Sequence, residues 1–142
     1  MSDAAGVVVL VGRVVFAAFF VVAAMGHFTR KEQMVGYARS VGFPVPALAW
    51  WPSGVWLLAG AVSIALGIWP DIGALIVGAW SIPTLWWFHA FWKVEDGQQK
   101  MTQMQLFWRN VTFLGAAVTL FGLFAALGDQ LRYTLTAPLF QF

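Results

Sequence analysis

Apolar residues in this chain gather into four long runs rather than alternating with polar ones. Ala4 to His27 is broken only by Arg13, and further runs cover Ala47 to Trp69, Ile72 to Trp92 and Phe107 to Gly128. Each is long enough as a helix to cross a bilayer core, which takes roughly 20 residues. The pattern predicts an all-α membrane protein, a four-transmembrane-helix bundle with spans at 4–27, 47–69, 72–92 and 107–128. It is expected to form a single domain over 1–142 with short interfacial helical segments. In the first loop, Gly36, Gly42, Pro44 and Pro46 punctuate TRKEQMVGYARSVGFPVP, which predicts a short interfacial helix followed by a turn. Pro52 is expected to kink the second span or mark its first turn, and Pro83 to bend the third. Ala59, Ser63 and Gly67, then Ala74 and Gly78, then Gly115 and Gly122, are small residues on common faces where helices can approach closely. The tail from Asp129 to Phe142 is too short and mixed to cross, and is expected to lie along the surface.

Composition removes the main competitor. With 61% hydrophobic and 10% charged residues and a mean hydropathy of +0.76, the chain lacks the polar side chains that would clothe a water-soluble bundle. Met-Ser-Asp is not a basic leader, and the first run exceeds a signal-peptide core, so a retained span is expected. Eight Lys and Arg spread along the chain are too few for a nucleic-acid footprint. No cysteine is present, which excludes thiolate metal sites, iron–sulfur ligation and dithiol chemistry by this chain. Arg30, Lys31, Arg39, Lys93 and Lys100 fall in the two longer loops, with Arg109 at their edge. The positive-inside rule then predicts a plasma-membrane protein with loops 28–46 and 93–106 cytoplasmic and both termini outside.

Polar chemistry concentrates between Phe88 and Gly115. His27 and His89 end spans that run in the same direction, and Arg109 and Asn110 begin the fourth at a similar level. With Glu32 and Asp96 these could form a pocket capped by Trp92 and Trp108. Imidazole exchanges protons near neutrality and a guanidinium holds an anionic or carbonyl group, so such a cluster suits a quinone head group. The plain alternative is a pair of interfacial histidines bonded to loop carboxylates, with Arg109 paired to Asp96. Two histidines at helix ends could also bracket haem b, but nothing else in the sequence asks for a porphyrin and haem is disfavoured. No metal-ligand spacing and no nucleophile–base arrangement is present, so neither a metal site nor a catalytic residue is assigned.

Arg13 stands apart. Nine residues at about 1.5 Å each would put it some 13 Å deep in a roughly 30 Å core, where an arginine costs about 2.5–3.5 kcal/mol unless it finds partners. By depth those partners are Ser63, Ser81 and Thr119, with Asp71 and Asp129 at the outer rim. A brace between helices, a ligand contact and simple snorkelling all remain open for it.

Gly12-Arg13, Gly26-His27-Phe28, Gly42-Phe43-Pro44, the LLAG at Leu57 to Gly60 and Leu66-Gly67 form one set of motifs. Phe88-His89-Ala90-Phe91-Trp92, followed by Asp96, Phe107, Arg109-Asn110 and Leu114-Gly115, forms another. Together they resemble the DoxX family of small four-helix membrane proteins. The resemblance implies a membrane protein linked, in some members, to quinone-coupled sulfur oxidation or to redox complexes that handle oxidative stress. It points to an accessory subunit, not catalytic on its own, in contact with the lipid bilayer and other membrane redox proteins, with self-association also open. The alternatives are a protein that binds or transports a lipid or small hydrophobe, anchored by Arg13, or a scaffold without a ligand. Related sequences often carry a glutamate before the Leu-Leu-x-Gly pattern where this chain has Trp56, so a mechanism through a buried carboxylate there is not expected.

Overall fold

A computed structural model describes residues 1–142. It contains five α-helices and no strand: α1 (Asp3–Thr29), α2 (Lys31–Ser40), α3 (Trp51–Leu66), α4 (Pro70–Pro83) and α5 (Gly97–Leu127). Three helical stretches, Asp3–Thr29, Pro70–Lys93 and Gly97–Gln130, are long and apolar enough to cross a membrane, and α3 is a shorter apolar helix. The exterior is apolar where a soluble bundle's would be polar: Val8, Val15 and Val22 on one face of α1 are 71%, 68% and 72% exposed. A face of that kind is satisfied by lipid.

The helix ends follow from local chemistry. Ser2 caps α1 by accepting from the Ala5 amide, and Asp96 caps α5 by accepting from the Gln99 amide at 2.8 Å. That second cap starts α5 at Gly97, ten residues before the predicted Phe107, so the Gln- and Met-rich stretch is the opening of the fourth span. Pro52 lies in the first turn of α3, where its missing amide costs nothing. The second span is shorter than predicted, because a separate 3-10 turn occupies Pro46–Ala49 and Gly67 ends the helix in the left-handed region at φ +68°. Pro83 ends α4, and the chain continues as one π-helical turn over Thr84–Phe88, closed by the His89 amide on the Thr84 carbonyl at 3.0 Å.

α1 packs on α3, α3 on α4 and α4 on α5. Between α1 and α5 the gap is filled by rings, with Phe113 touching Phe16, Phe19 and Phe20 at centroid distances of 6.5, 4.5 and 5.3 Å. The close approach of α3 and α4 runs through Gly60 and Gly73: a Cβ on Gly60 would stand 2.9 Å from the Val77 side chain. Ala59, assigned to that contact from its spacing, faces outward instead. Ala74 and Gly78 do face the core as expected, whereas nothing packs within 4 Å of a Cβ on Gly115 or Gly122.

Arg13 and the tail are joined in a way that spacing does not show. Phe28 abuts Gly54 across the antiparallel α1–α3 contact. Twelve equal steps from that point bring Phe16 level with Leu66, the last residue of α3, so Arg13, a turn further toward the start of α1, lies beside the α3–α4 turn. Arg13 is 1% exposed, and its Nη2 donates to the Tyr133 carbonyl of the tail. Asp71, fully buried in the first turn of α4, accepts from the Leu139 and Phe140 amides, both at 2.8 Å. Neither charge is ion-paired; the one ion pair is Arg132 with Asp3 at 2.9 Å.

The tail does lie on the surface as expected, most of its residues exposed, but it is bonded down across the end of the bundle as a strap, with the Leu135 and Thr136 amides on the Gly67 carbonyl at 3.0 Å and the Thr136 hydroxyl accepting from the Trp69 amide at 2.7 Å. That last bond supports Trp69 at φ +44°, an unfavourable conformation for a bulky residue. Gly67 is required twice over, by its φ and because a Cβ there would overlap Thr134 at 2.6 Å. Asp71→Ala removes the acceptor of two part-buried amides and is expected to cost about 1.5–3 kcal/mol, the scale of hydrogen bonds to a charged group. Thermal unfolding in detergent checks it, and a melting point equal to wild type contradicts the strap.

Candidate functional site

At the opposite end of the bundle, where α1 and the π-turn finish, the helices splay around a cavity of about 280 Å³. That is near the lower end of the ~300–1,000 Å³ usual for small-ligand sites. His27, His89 and Arg109 line it, with Tyr37, Phe43, Trp80 and Phe88 as its aromatic walls. These three polar residues, placed together by sequence, share one cavity.

Each imidazole is oriented by a second residue. His27, in the last turn of α1, donates from Nδ1 to the Ala49 carbonyl at 2.6 Å, which ties the start of α3 to the end of α1. Trp80 lies edge-on to the His27 ring with centroids 6.1 Å apart. His89 follows the π-turn; without the extra residue of that turn its side chain would sit about 100° further round the helix axis.

His89 belongs to a chain of bonds whose direction is fixed at its far end. The Phe88 carbonyl can only accept, so the Tyr37 hydroxyl donates to it, at 2.6 Å. Tyr37 then accepts from Gln103 Nε2 at 3.3 Å, which turns Gln103 Oε1 toward His89 Nδ1 at 2.9 Å. An amide oxygen only accepts, so His89 carries its proton on Nδ1.

Arg109 projects from α5, with its guanidinium 5.5 Å from the Phe19 ring centroid and 6.0 Å from that of Phe113. These are cation–π distances that hold the group without neutralising it. It makes no ion pair. No carboxylate lines the cavity, so Arg109 leaves it electropositive. Asp96 is occupied as the α5 cap, and Glu32 does not reach the cavity.

The other sequence candidates lie elsewhere. Asn110 is buried but donates to the Leu106 carbonyl of its own helix at 2.8 Å. Trp92 is 47% exposed and meets Trp86, Phe91 and Phe107 edge to face on the outer side, and Trp108 is likewise outward-facing. Arg13 is at the far end under the strap. Tyr37 and Gln103 escaped notice because each lies in a segment that reads as membrane-surface helix. Only tertiary packing brings α2 and the start of α5 against His89.

Burial pushes the Tyr37 phenol above its ordinary value of 10.0, while the bond from Gln103 pulls it down. A raised folded value means that the stability contributed by the neutral phenol is fully present below pH 10.0 and is lost as pH rises through the folded value. Base titration of phenolate absorbance, as the difference between wild type and Tyr37→Phe, is expected to have its midpoint above pH 10.0. A midpoint below that pH would contradict the partly desolvated, donating hydroxyl.

The DoxX family profile matches residues 8–90, from the first turns of α1 through His89. No curated protein and no solved structure matches the chain. The matched segment holds both histidines and Trp80 and stops short of Gln103 and Arg109, which α5 supplies. Because the match covers more than half of the chain and takes in its apolar spans, the chain belongs to the DoxX family, as a multi-pass membrane protein.

Proposed function

We propose that this protein is an accessory membrane subunit that holds a small flat amphiphile, a quinone-type head group, for a redox partner in the same membrane. The observation that carries the reading is the single cavity in which His27, His89 and an unpaired Arg109 meet aromatic walls. A guanidinium can donate to a ring oxygen, Phe43, Phe88 and Trp80 give a ring aromatic walls to pack against, and an imidazole can exchange a proton there. A quinone head group would supply the paired uptake of electrons and protons; the residues bind, orient and hold protons beside it. The whole chain, 1–142, acts as one domain in this reading. The loop end, rich in Arg30, Lys31, Arg39, Lys93 and Lys100, faces the cytoplasm, and the strapped end faces outward. In this reading electrons pass between the held ring and a redox partner in the same membrane.

The competing lipid-carrier reading used Arg13 as its anchor. That side chain is 1% exposed beneath the tail, so it has no surface to offer a ligand. A lipid carrier would have to use the same loop-end cavity.

His89→Ala and Arg109→Ala are expected to lower quinol-dependent electron transfer in native membranes at least tenfold, with unchanged amounts of assembled complex. Rates equal to wild type in both variants would remove the cavity from the reaction.

A further inference from the structure

We infer that the cavity selects the hydroxyl form of its ring ligand, a hydroquinone or other phenol, over the carbonyl form. This rests on the ring-binding reading above. The basis is the polarity of the two imidazoles, which their surroundings fix independently.

His27 Nδ1 donates to the Ala49 carbonyl and His89 Nδ1 donates to Gln103 Oε1. An unperturbed imidazole is neutral above a pH of about 6.5. In a neutral ring a protonated Nδ1 leaves Nε2 as a lone-pair acceptor. Neither Nε2 has a partner in the protein, and neither is sealed: the fully buried unpartnered atoms are Arg13 Nε, Arg13 Nη1 and Asp71 Oδ1. The lining thus offers two acceptors from His27 and His89 and one strong donor from Arg109.

The neighbouring hydroxyls do not change this balance. Ser53 donates to the Leu48 carbonyl at 2.6 Å, Thr84 to the Trp80 carbonyl at 2.9 Å and Tyr37 to the Phe88 carbonyl at 2.6 Å. A carbonyl ring can use only Arg109 and leaves both imidazoles unpaired. A ring bearing hydroxyls can donate to Nε2 and still accept from the guanidinium. Leaving a site's polar group unpaired is how such sites reject the wrong ligand.

Tyr37 and Gln103 are then positioning residues. The Phe88 carbonyl sets the direction of the Tyr37 hydroxyl, the hydroxyl sets the Gln103 amide, and the amide sets the His89 proton. Nothing else in the chain of bonds restrains the tautomer of His89.

The test uses the full chain in nanodiscs at pH 8 under anaerobic conditions. Calorimetric affinities are compared for a short-chain alkylhydroquinone, its dimethyl ether and its benzoquinone, with ¹⁵N NMR of the histidine side chains as a second readout. The hydroquinone is expected to bind at least tenfold tighter than either of the others. The wild-type spectrum is expected to show unprotonated Nε2 on both rings. Gln103→Leu is expected to mix the His89 tautomers and reduce the preference severalfold, weakening the hydroquinone and tightening the benzoquinone, whose carbonyl can accept from the Nε2-protonated form.

Equal or tighter binding of the benzoquinone, or proton signals on Nε2, overturns the inference and leaves the ring-binding reading standing. If none of the three ring ligands binds, the ring-binding reading falls and the inference with it. Displacement of the hydroquinone by phosphatidylglycerol at the same affinity overturns ring selectivity in favour of an aliphatic hydroxyl. Should Gln103→Leu fail to fold, the wild-type spectrum and the three affinities still decide.

Discussion

Hydrocarbon offers no hydrogen-bond partner, so the polar groups that Arg13 and Asp71 carry into the bundle must be met by the chain itself. Main-chain atoms of the tail meet part of that need, with a carbonyl from Tyr133 for Arg13 Nη2 and amides from Leu139 and Phe140 for Asp71 Oδ2, while Arg13 Nε and Nη1 and Asp71 Oδ1 have no partner in the protein. The two charges never pair within ion-bridge distance, and each is anchored to a different part of one strap. That arrangement holds α1, the α3–α4 turn and α4 at a common level. The remaining packing is built from small contacts such as Gly60 against Val77, which lipid tails could nearly match. The charged anchors are therefore what make the helix register specific.

The two ends of the bundle treat their cations oppositely. At the strapped end Arg13 is sealed and bonded to backbone. At the loop end Arg109 is exposed, rests against Phe19 and Phe113, and carries no hydrogen bond. A cation left unpaired beside a cavity, with every nearby hydroxyl already donating to the backbone, is free to meet a ligand. One that is buried and strapped serves the fold. The same physical cost, an arginine at the edge of an apolar bundle, is met once by structure and once by solvent or ligand.

How the loop end acquires its cavity depends on two irregularities. Pro83 stops α4, and the π-turn after it rotates His89 toward α2 and α5. The early start of α5 at Gly97 then brings Gln103 beside that ring. Had α5 begun at Phe107, as hydropathy alone suggests, no residue would sit where the His89 proton is fixed. Hydropathy marks where a helix becomes apolar, whereas the Asp96 cap marks where it begins.

From the sequence alone, the apolar runs fixed the all-α membrane class and the rough span positions, because bilayer thickness converts directly into residue count. The shared level of His27, His89 and Arg109 was legible for the same reason: depth follows from counting along helices. Direction around a helix does not follow that way, so Trp92 and Asn110 were grouped with residues they do not face. Tertiary structure alone decided the partner of Arg13, the strap formed by the tail, and the Tyr37–Gln103–His89 chain. Each joins segments far apart in the sequence through single hydrogen bonds, and a single bond of that kind leaves no periodicity for a sequence to show.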